Sequence, residues 1–469
     1  MFQLINSIVH EFRNCFKREK TWRWFAVLVM GMMIRRSHRG VTSVISALRL
    51  EPRLYHTMLH YFRSTAYTNN DLYDKWIKIA AKYASLTRMA GRVVLLGDHI
   101  KISKEGRYMP DTEMHHQDSQ NSGKPEYIAG HNYGQVSAVI TNGVVSRSLP
   151  LITELQKSPP RKEGTKKPDG DTLVTQMVNL AHKTAQSLKE PAVVALDAYF
   201  SSGRAWEAAD KTITEAGEKL VEIVTRAQTN TVGYTVPEPP KVKKRGQPRI
   251  YGDKVVLYNL FNDKSTFTQT TMTLYGKKTL VKYLCLDLLW KPVKKLVRFV
   301  AVEYDGGRCV LMSTSLTLTA EQIIAIYALR FKIETGFDEQ KNDMGCFAYH
   351  FWTSAQPKFK KWKKVEPPAD DISKLKINNT RKATQSFVCL TTIATGILSI
   401  IAFSHNREIW NRYPGWVRTL RSNIPTVAVV KETLEQDFHL CLPIFSDLPL
   451  FGFILPLRRS VDFLFHDAV

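Results

Sequence analysis

The pattern of apolar and polar positions changes character near residue 90. Before it, apolar residues recur at helical spacing, so residues 1–88 are predicted to form helices only. Beyond it, short apolar runs of strand type alternate with amphipathic helices. The predicted order is strand, hairpin, helix, strand, helix, strand, with the hairpin turn at Asn142–Gly143. This order predicts an α/β fold in which helices flank a mixed sheet.

Two of the predicted strands end in an aspartate. The run "VVLLGD" ends in Asp98 and the run "VVALD" ends in Asp197, with an amphipathic helix over Thr172–Lys189 before the second run. Carboxylates at the carboxyl ends of strands lie in the crevice where open α/β sheets place their sites. We therefore expect Asp98 and Asp197 to meet if the two strands are neighbours.

The second half of the chain is predicted to open with an extended linker. Residues Val236–Gly252 are rich in Pro, Lys and Arg and lack apolar periodicity, whereas residues 254–315 are almost all strand-like, as in an inserted β-rich domain. A helix with Thr319 as its N-cap follows. The apolar run Phe387–Phe403 has 17 residues, and its Thr, Ser and Gly content favours a buried core helix over a membrane span.

Charge and cysteine content bear on the partner and the compartment. The 469 residues include 66 Lys and Arg against 43 Asp and Glu, a net charge of +23. This surplus indicates a polyanionic partner, with nucleic acid as the leading candidate and a membrane surface or a ribosome-like assembly as the alternative. The six cysteines lack C-x-x-C spacing, which favours a reducing compartment, and the N-terminus lacks the pattern of a signal peptide.

Three segments are candidates for contact with phosphates. Residues Arg39–Ser64 are predicted to form two short helices, which fit either a helix-turn-helix or an ordinary helical hairpin. The linker Val236–Gly252 is extended and basic, and Pro357–Pro368 interleaves Phe359 and Trp362 among lysines. The candidate DNA-binding residues in these segments are Arg53, Arg63, Arg245, Arg249, Lys360 and Lys361.

A third carboxylate comes from the helix that follows Thr319. If the helix packs on the sheet, Glu334 joins Asp98 and Asp197. Unpaired carboxylates within a few ångströms repel each other unless one is protonated or a metal ion lies between them, and Mg²⁺ is the usual ion for such ligands. Three carboxylates suit two ions, an arrangement that promotes in-line displacement at a phosphodiester.

The same helix lines up other polar side chains. At about 100° per residue, Tyr327, Arg330, Glu334 and Lys341 fall within roughly 60° of arc. Arg330 and Lys341 would grip phosphates, and the hydroxyl of Tyr327 would donate to a phosphate or its ring would stack on a base. The alternative is a solvated face on which Arg330 and Glu334 form an ordinary ion pair. The core contact is predicted from the adjacent stripe of Ile326, Leu329, Ile333 and Phe337.

The spacing Y-(2)-R-(3)-E-(6)-K of Tyr327, Arg330, Glu334 and Lys341 resembles the Tyr-Arg-Glu-Lys signature of prokaryotic insertion-sequence DDE transposases. Asp98 and Asp197 precede it in the right order, and "DAYFSSGR" resembles the second-Asp motif of that family. The resemblance spans residues 90–405. It implies an RNase H-like core interrupted by a β-rich insertion, with Asp98, Asp197 and Glu334 catalytic and holding two Mg²⁺ or Mn²⁺ ions. It also implies cut-and-paste transposition at terminal inverted repeats, a homodimer on double-stranded DNA, and action at the nucleoid in the cytoplasm without a membrane.

The resemblance divides the chain into five expected regions. They are a helical DNA-binding domain at 1–88, the first part of the RNase H-like core at 89–235, the linker and β-rich insertion at 236–318, the second part of the core with the Glu334 helix at 319–405, and a C-terminal region at 406–469.

Two alternatives to an active transposase remain open: a DNA-binding relic with an unused site, and another RNase H-like nuclease. His99, which follows Asp98, could bind metal or DNA or be structural, while His115, His116 and His131 lack the spacing of zinc ligands.

Overall fold

The computed structural model describes the chain except for residues 38–39, 118–122, 124, 160–167, 169, 215–216, 239–248, 363–365, 367, 418–423, 443, 445–446 and 460–469. Within the described residues, the strands form one mixed sheet and helices cover both of its faces. The predicted α/β class is therefore confirmed.

The sheet contains thirteen strands in the part of the chain that is described. Their bounds are β1 (Arg88–Met89), β2 (Arg92–Ser103), β3 (Glu113–His116), β4 (Tyr127–Thr141), β5 (Ser146–Gln156), β6 (Ala192–Leu196), β7 (Val221–Arg226), β8 (Val232–Tyr234), β9 (Lys254–Val256), β10 (Thr268–Leu274), β11 (Lys277–Trp290), β12 (Lys295–Tyr304) and β13 (Gly307–Ser313). The spatial order is β3-β4-β2-β6-β7-β13-β12-β11-β8-β9, and β5, β10 and β1 pair with β4, β11 and β2. Among the strand pairs of the described residues, β2–β6 and β6–β7 are parallel and the others are antiparallel.

The helices that surround this sheet come from both ends of the chain and from its centre. They are α1 (Phe2–Glu11), α2 (Glu19–Ile34), α3 (Val41–Leu48), α4 (Tyr55–Arg63), α5 (Asn69–Tyr83), α6 (Leu173–Leu188), α7 (Gly203–Ala209), α8 (Ala320–Leu329), α9 (Lys332–Asp338), α10 (Asp371–Ser404), α11 (Asn406–Arg412), α12 (Val427–Cys441) and α13 (Pro449–Ile454). The expected hairpin appears as β4 and β5, and the expected helix over Thr172–Lys189 is α6, with the Thr172 hydroxyl accepting a hydrogen bond from the N–H of Thr175.

The first predicted strand continues beyond the aspartate at which it was expected to end. β2 runs to Ser103, so Asp98 lies inside it. Its parallel pairing with β6 stops at Leu96 and Ala195, whereas its antiparallel pairing with β4 continues from Asp98 to Ser103. The expectation that a strand ends at Asp98 was wrong, because β4 supplies backbone partners where β6 no longer does.

The β-rich segment after the linker joins the central sheet. β13 pairs antiparallel with β7, with Leu311 opposite Arg226, and β12, β11 and β10 follow outward. The segment thus extends the sheet that carries β2 and β6. That it is an insertion into an RNase H-like core stays a prediction.

The long helix α10 forms the centre of the helical layer. Its apolar 18-residue window is 94% buried, and it packs against β5, α2, α4, α5 and α12. Gly396 permits close approach, since a Cβ there would lie 2.1 Å from Cζ2 of Trp76. The helix is therefore a core element, as its composition predicted, and not a membrane span.

Both ends of the chain pack around α10. α12 lies against α2 and α10, and α13 lies against α2, so residues beyond 406, for which no motif was found, contact the N-terminal helices. One continuous apolar core includes residues from α1, α2, α10 and α12 and from the adjacent face of the sheet. The division into five regions stays a prediction.

Candidate active site

Strand periodicity determines which side chains of β2 face the same helix. Val94 and Leu96 lie in the apolar cluster beneath α8, whereas Val93 and Leu95 lie in the cluster on the opposite face. Because side chains alternate between faces along a strand, Asp98 falls on the α8 side. This alternation turns Asp98 towards the segment that contains Arg330, in the turn after α8, and Glu334, on α9.

Asp197 lies beside Asp98 across the parallel pair. Leu96 is opposite Ala195, so the register continued by two residues brings the aspartates side by side. Asp197 directly follows β6 and caps a short 3₁₀ turn, where its Oδ1 accepts a hydrogen bond from the N–H of Tyr199 at 3.1 Å. The prediction that the two aspartates come from neighbouring strands is thus met by the register.

The residue before Asp98 must be small. A Cβ at Gly97 would lie 2.6 Å from Cδ2 of Leu196 and 3.1 Å from Sδ of Met177 on α6. A larger side chain would push β2 away from α6 or displace Leu196. Gly97 therefore supports the placement of the neighbouring aspartate.

Both carboxylate oxygens of Asp98 accept hydrogen bonds. Oδ1 accepts from the N–H of His99 at 2.7 Å, and Oδ2 accepts from Nη1 of Arg330 at 3.2 Å. Burial and the charge of Asp197 raise the pKa of Asp98 to about 7, with a further contribution from Glu334, although the His99 N–H and Arg330 favour the charged form. The side chain is only 19% exposed, so water compensates little of this cost.

Arg330 links Asp98 to the third carboxylate. Its Nη2 donates to Oε1 of Glu334 at 2.7 Å while its Nη1 donates to Asp98, and the arginine side chain is 17% exposed. Glu334 is on α9 and is 45% exposed. The ordinary ion pair that the sequence offered as an alternative is present, but it also reaches the carboxylate of Asp98.

The segment that carries this arginine is not one continuous helix. α8 ends at Leu329, a turn occupies Arg330 and Phe331, α9 begins at Lys332, and a π-helical turn follows over Glu339–Asp343. The expectation of one continuous helix from Tyr327 to Lys341 was therefore wrong, although Arg330 and Phe331 keep right-handed helical backbone angles. The Thr319 capping box is present, and Ile326, Ile333 and Phe337 are buried as predicted.

The remaining two residues of the motif occupy different environments. Tyr327 is half-buried at the end of α8, and burial raises its pKa to about 12, so its hydroxyl keeps its proton at neutral pH. Lys341 is exposed on the π-helical turn. Tyr327 is therefore available as a donor near Arg330, while Lys341 reaches solvent beyond α9.

His99 has protein partners on the side of β2 away from α8. Its Nε2 lies 2.6 Å from Oε1 of Gln156, and its ring packs against Phe200 with a centroid separation of 5.2 Å. Burial lowers the pKa of His99 to about 4, so the ring is neutral at pH 7. These contacts favour the structural role among the alternatives for His99.

A cavity of about 440 Å³ opens beside the two aspartates. Its lining includes Asp98, Asp197, Tyr199, Lys101 and Met114. Sequence reasoning did not single out Tyr199 or Lys101, although the exposed Tyr199 is one of the two aromatic residues of "DAYFSSGR". The position of Tyr199 two residues after Asp197 was the feature of the sequence that could have identified it as a site residue.

A second cavity of about 460 Å³ adjoins the first and shares Met114 with it. Phe359, Lys360 and Trp362 line it, and the Trp362 ring meets Tyr127 edge-on at 4.9 Å. The basic aromatic segment predicted around Lys360 is thus next to the aspartate cavity.

The other candidate DNA-binding residues are dispersed over the surface. Arg53 is exposed on the 3₁₀ turn Pro52–Leu54, Arg63 is exposed at the end of α4, and Lys361 and Arg249 are exposed. Arg245 lies outside the described residues. None of these contacts the three carboxylates through a described hydrogen bond or ion pair.

The three carboxylates offer only oxygen ligands, which suit hard divalent cations such as Mg²⁺ or Mn²⁺. In the described part of the chain, no group of three or more His, Cys, Asp or Glu side chains is close enough together to hold an ion as it stands. Arg330 lies between Asp98 and Glu334, so convergence of these carboxylates on an ion requires the guanidinium to move. The oxygen ligands suit a divalent ion, and the Arg330 side chain occupies the position between two of the three carboxylates.

Comparison with known proteins gives one family match. A family model described as DDE superfamily endonuclease matches residues 11–282, which is more than half of the chain and includes Asp98 and Asp197 but stops before Glu334. Among solved structures, the NurA nuclease from Sulfolobus solfataricus aligns with a TM-score of 0.20 and 10% identity, over 60% of this chain and 86% of that one. This likeness is too weak to show a shared fold. No curated protein matches the chain.

Proposed function

The chain belongs to the DDE superfamily endonuclease family, and from this premise we propose that it is a DNA transposase dependent on Mg²⁺ or Mn²⁺. It would cleave DNA at the terminal inverted repeats of its own insertion sequence and transfer the freed strands to a target. The observation that carries the proposal is the Arg330 guanidinium between Asp98 and Glu334, with Asp197 beside Asp98 in the continued register of β2 and β6.

The chemistry follows from the carboxylates and their neighbours. Bound divalent ions would activate the attacking water or 3′-hydroxyl and stabilise the leaving oxygen. Asp98 and Asp197 would hold the ions from the sheet, and Glu334 would hold them from α9. The raised pKa of Asp98 supports this role, because a carboxylate whose charge is disfavoured by burial and by a second carboxylate is stabilised by a bound cation.

Substrate contacts are proposed for residues around the site. The protonated hydroxyl of Tyr327 would donate to a phosphate oxygen, and the exposed Lys341 would bind a phosphate further along the backbone. Lys360 and Lys361 would hold duplex next to the cleavage point, since Lys360 lines the adjoining cavity. The net charge of +23 supports an extended DNA interface.

The wider assembly is proposed on the resemblance to insertion-sequence transposases. The N-terminal helices, with Arg53 and Arg63 on their surface, would recognise the inverted repeats. Two copies of the chain would pair the two ends of the element, and the reaction would take place at the nucleoid in the cytoplasm. The RNase H-like core and its β-rich insertion belong to the same proposal.

The alternative function is that of another RNase H-like nuclease. The family match supports it, because the matched family consists of endonucleases and the match does not indicate transposition. A DNA-binding relic is disfavoured by the presence of all three carboxylates together with Arg330.

An excision assay tests the proposal. The gene's own locus with its flanks is placed on a plasmid, the protein is expressed in trans, and the donor junctions are sequenced. Excision at defined ends, abolished by Asp98→Ala and retained by Asp263→Asn at an exposed turn, supports the transposase. Metal-dependent DNA cleavage without excision indicates another nuclease, and tight binding to the flanks without cleavage indicates a relic.

A further inference from the structure

The carboxylates proposed to bind metal already have a cation between them. Arg330 donates one N–H to Asp98 and another to Glu334, and its side chain is 17% exposed. Both oxygens of Asp98 are therefore engaged, since the other one accepts the N–H of His99. In this arrangement the guanidinium balances part of the negative charge of the site.

A guanidinium and a divalent ion compete for the same oxygen atoms. Mg²⁺ binds carboxylate oxygens at about 2.0–2.1 Å and demands near-ideal octahedral geometry. An arginine that keeps its hydrogen bond to Oδ2 of Asp98 blocks one of the directions from which an ion approaches, and its positive charge repels the ion. Metal binding through both Asp98 and Glu334 therefore requires Arg330 to leave at least one of them.

The backbone at Arg330 is suited to such a change. The residue is in the turn between α8 and α9, where the N–H of Arg330 donates to the carbonyl of Tyr327 and the N–H of Ile333 donates to the carbonyl of Arg330, each at 3.0 Å. The next residue, Phe331, is exposed. The Arg330 side chain therefore leaves the backbone at a junction between helices, and rotation about its own bonds can turn the guanidinium away from Asp98 without a change in α8 or α9.

We propose that Arg330 is an internal counter-ion. In the DNA-free protein its guanidinium binds Asp98 and Glu334. When a DNA phosphate binds the guanidinium instead, the two carboxylates become free to bind divalent ions. The inference rests on the proposed metal-dependent function and adds a regulation to it. A phosphate is the fitting replacement partner, because it offers the bidentate oxygens that a guanidinium prefers. Metal binding is then coupled to DNA binding, so the affinity of the site for metal stays low until a DNA substrate is present.

Thermodynamic linkage makes the coupling reciprocal. DNA should raise the affinity for Mn²⁺ by the same factor by which Mn²⁺ raises the affinity for DNA. If Arg330 carries the coupling, its removal should tighten Mn²⁺ binding without DNA and abolish the further increase on adding DNA. Loss of a merely structural arginine would not tighten metal binding.

The test is isothermal titration of Mn²⁺ into the full chain, with and without a duplex oligonucleotide, for wild type, Arg330→Gln and Arg298→Gln. Arg298 is the matched control, since it is 19% exposed and makes a bidentate pair with Asp287 away from the site. Arg330→Gln should bind Mn²⁺ on the order of tenfold more tightly than wild type without DNA, a typical coupling factor. Arg298→Gln should match wild type.

Other results distinguish failure of the counter-ion role from failure of the metal site. Equal or weaker Mn²⁺ binding by Arg330→Gln, in a wild type that does bind Mn²⁺, overturns the counter-ion role and leaves the metal site standing. If neither wild type nor Arg330→Gln binds Mn²⁺, the proposed metal-dependent function itself fails. Should Arg330→Gln be unfolded by thermal melting, Arg330→Lys decides, because it keeps the charge without the planar fork and should bind Mn²⁺ between wild type and the tenfold limit.

Discussion

Replacing Asp98 by asparagine should stabilise the metal-free protein at alkaline pH. Burial and the charge of Asp197 raise the pKa of Asp98 from 3.8 to about 7. The difference corresponds to about 4 kcal/mol of unfavourable free energy for the ionised carboxylate in the folded chain. Asparagine has nearly the same shape and still accepts from the N–H of His99, but it carries no charge and its NH₂ group cannot accept from Arg330, which offsets about 1–3 kcal/mol of the gain.

The sign of the pH dependence follows from proton binding. Between about pH 4 and pH 7 the folded protein retains a proton on Asp98 that the unfolded chain has released, so this group makes stability fall as pH rises. Above pH 7 the whole cost remains. The stability of Asp98→Asn relative to wild type should therefore increase by about 4 kcal/mol between pH 4 and pH 8. The charged groups that face Asp98 are Asp197, Glu334 and Arg330, while His99, with a pKa of about 4, is neutral over all but the acidic end of this range.

Chemical denaturation in the presence of EDTA measures the difference, with circular dichroism and tryptophan fluorescence compared as a check on two-state behaviour. Asp111→Asn is the control with the opposite sign. Asp111 is 5% exposed; burial raises its pKa, but its hydrogen bonds and ion pairs with Arg381 and Lys157 outweigh burial and lower it. Removing this carboxylate should cost about 3–5 kcal/mol. If Asp98→Asn is no more stable than wild type at pH 8, the electrostatic reasoning about the site is refuted.

Three further outcomes are expected. Glu334→Gln should lose Mg²⁺-dependent DNA cleavage while its DNA affinity in a mobility-shift assay stays close to wild type; equal loss of both would remove Glu334 from the metal site. The double change Lys360→Gln and Lys361→Gln should reduce the slope of log K against log salt by about 1.8 for duplex DNA, and an unchanged slope would exclude this segment from the interface. Gly396→Ala should destabilise the fold by about 1–3 kcal/mol in denaturation, since its methyl group would meet the Trp76 ring at 2.1 Å; an unperturbed midpoint would contradict the tight packing of α10.

Local pattern was enough to predict most element types. The β4–β5 hairpin, α6 with its Thr172 cap and the capping box at Thr319 each depend on residues close together in the chain. Predictions of this kind hold in the folded protein because turn geometry and helix capping depend on nearby backbone groups. The buried nature of α10 was also readable, because its apolar run contains hydroxyl residues that donate to the helix's own carbonyls, as Thr391 and Thr395 do.

Non-local pairing decided where those elements end. Sequence alone placed the end of a strand at Asp98, but β4 continues the ladder beside β2 to Ser103. The turn at Arg330 between α8 and α9 was equally invisible, because residues 320–335 read as one uninterrupted helix. A strand or helix ends where its backbone partners or packing surface end, and those partners come from distant parts of the chain.

The sequence by itself determined the kinds of groups at the candidate site: two aspartates after apolar strand residues, a glutamate on a helix, and an arginine four residues before it. Only the tertiary structure decided which of these charged groups pair with each other. Strand alternation turns Asp98 towards α8 and α9, and parallel register brings Asp197 beside it, so Arg330 bridges Asp98 to Glu334 instead of pairing with Glu334 alone. The reason is that an ion pair depends on separation in space and on burial, and a carboxylate 232 residues away in the chain can compete with one four residues away once folding brings it within hydrogen-bonding distance.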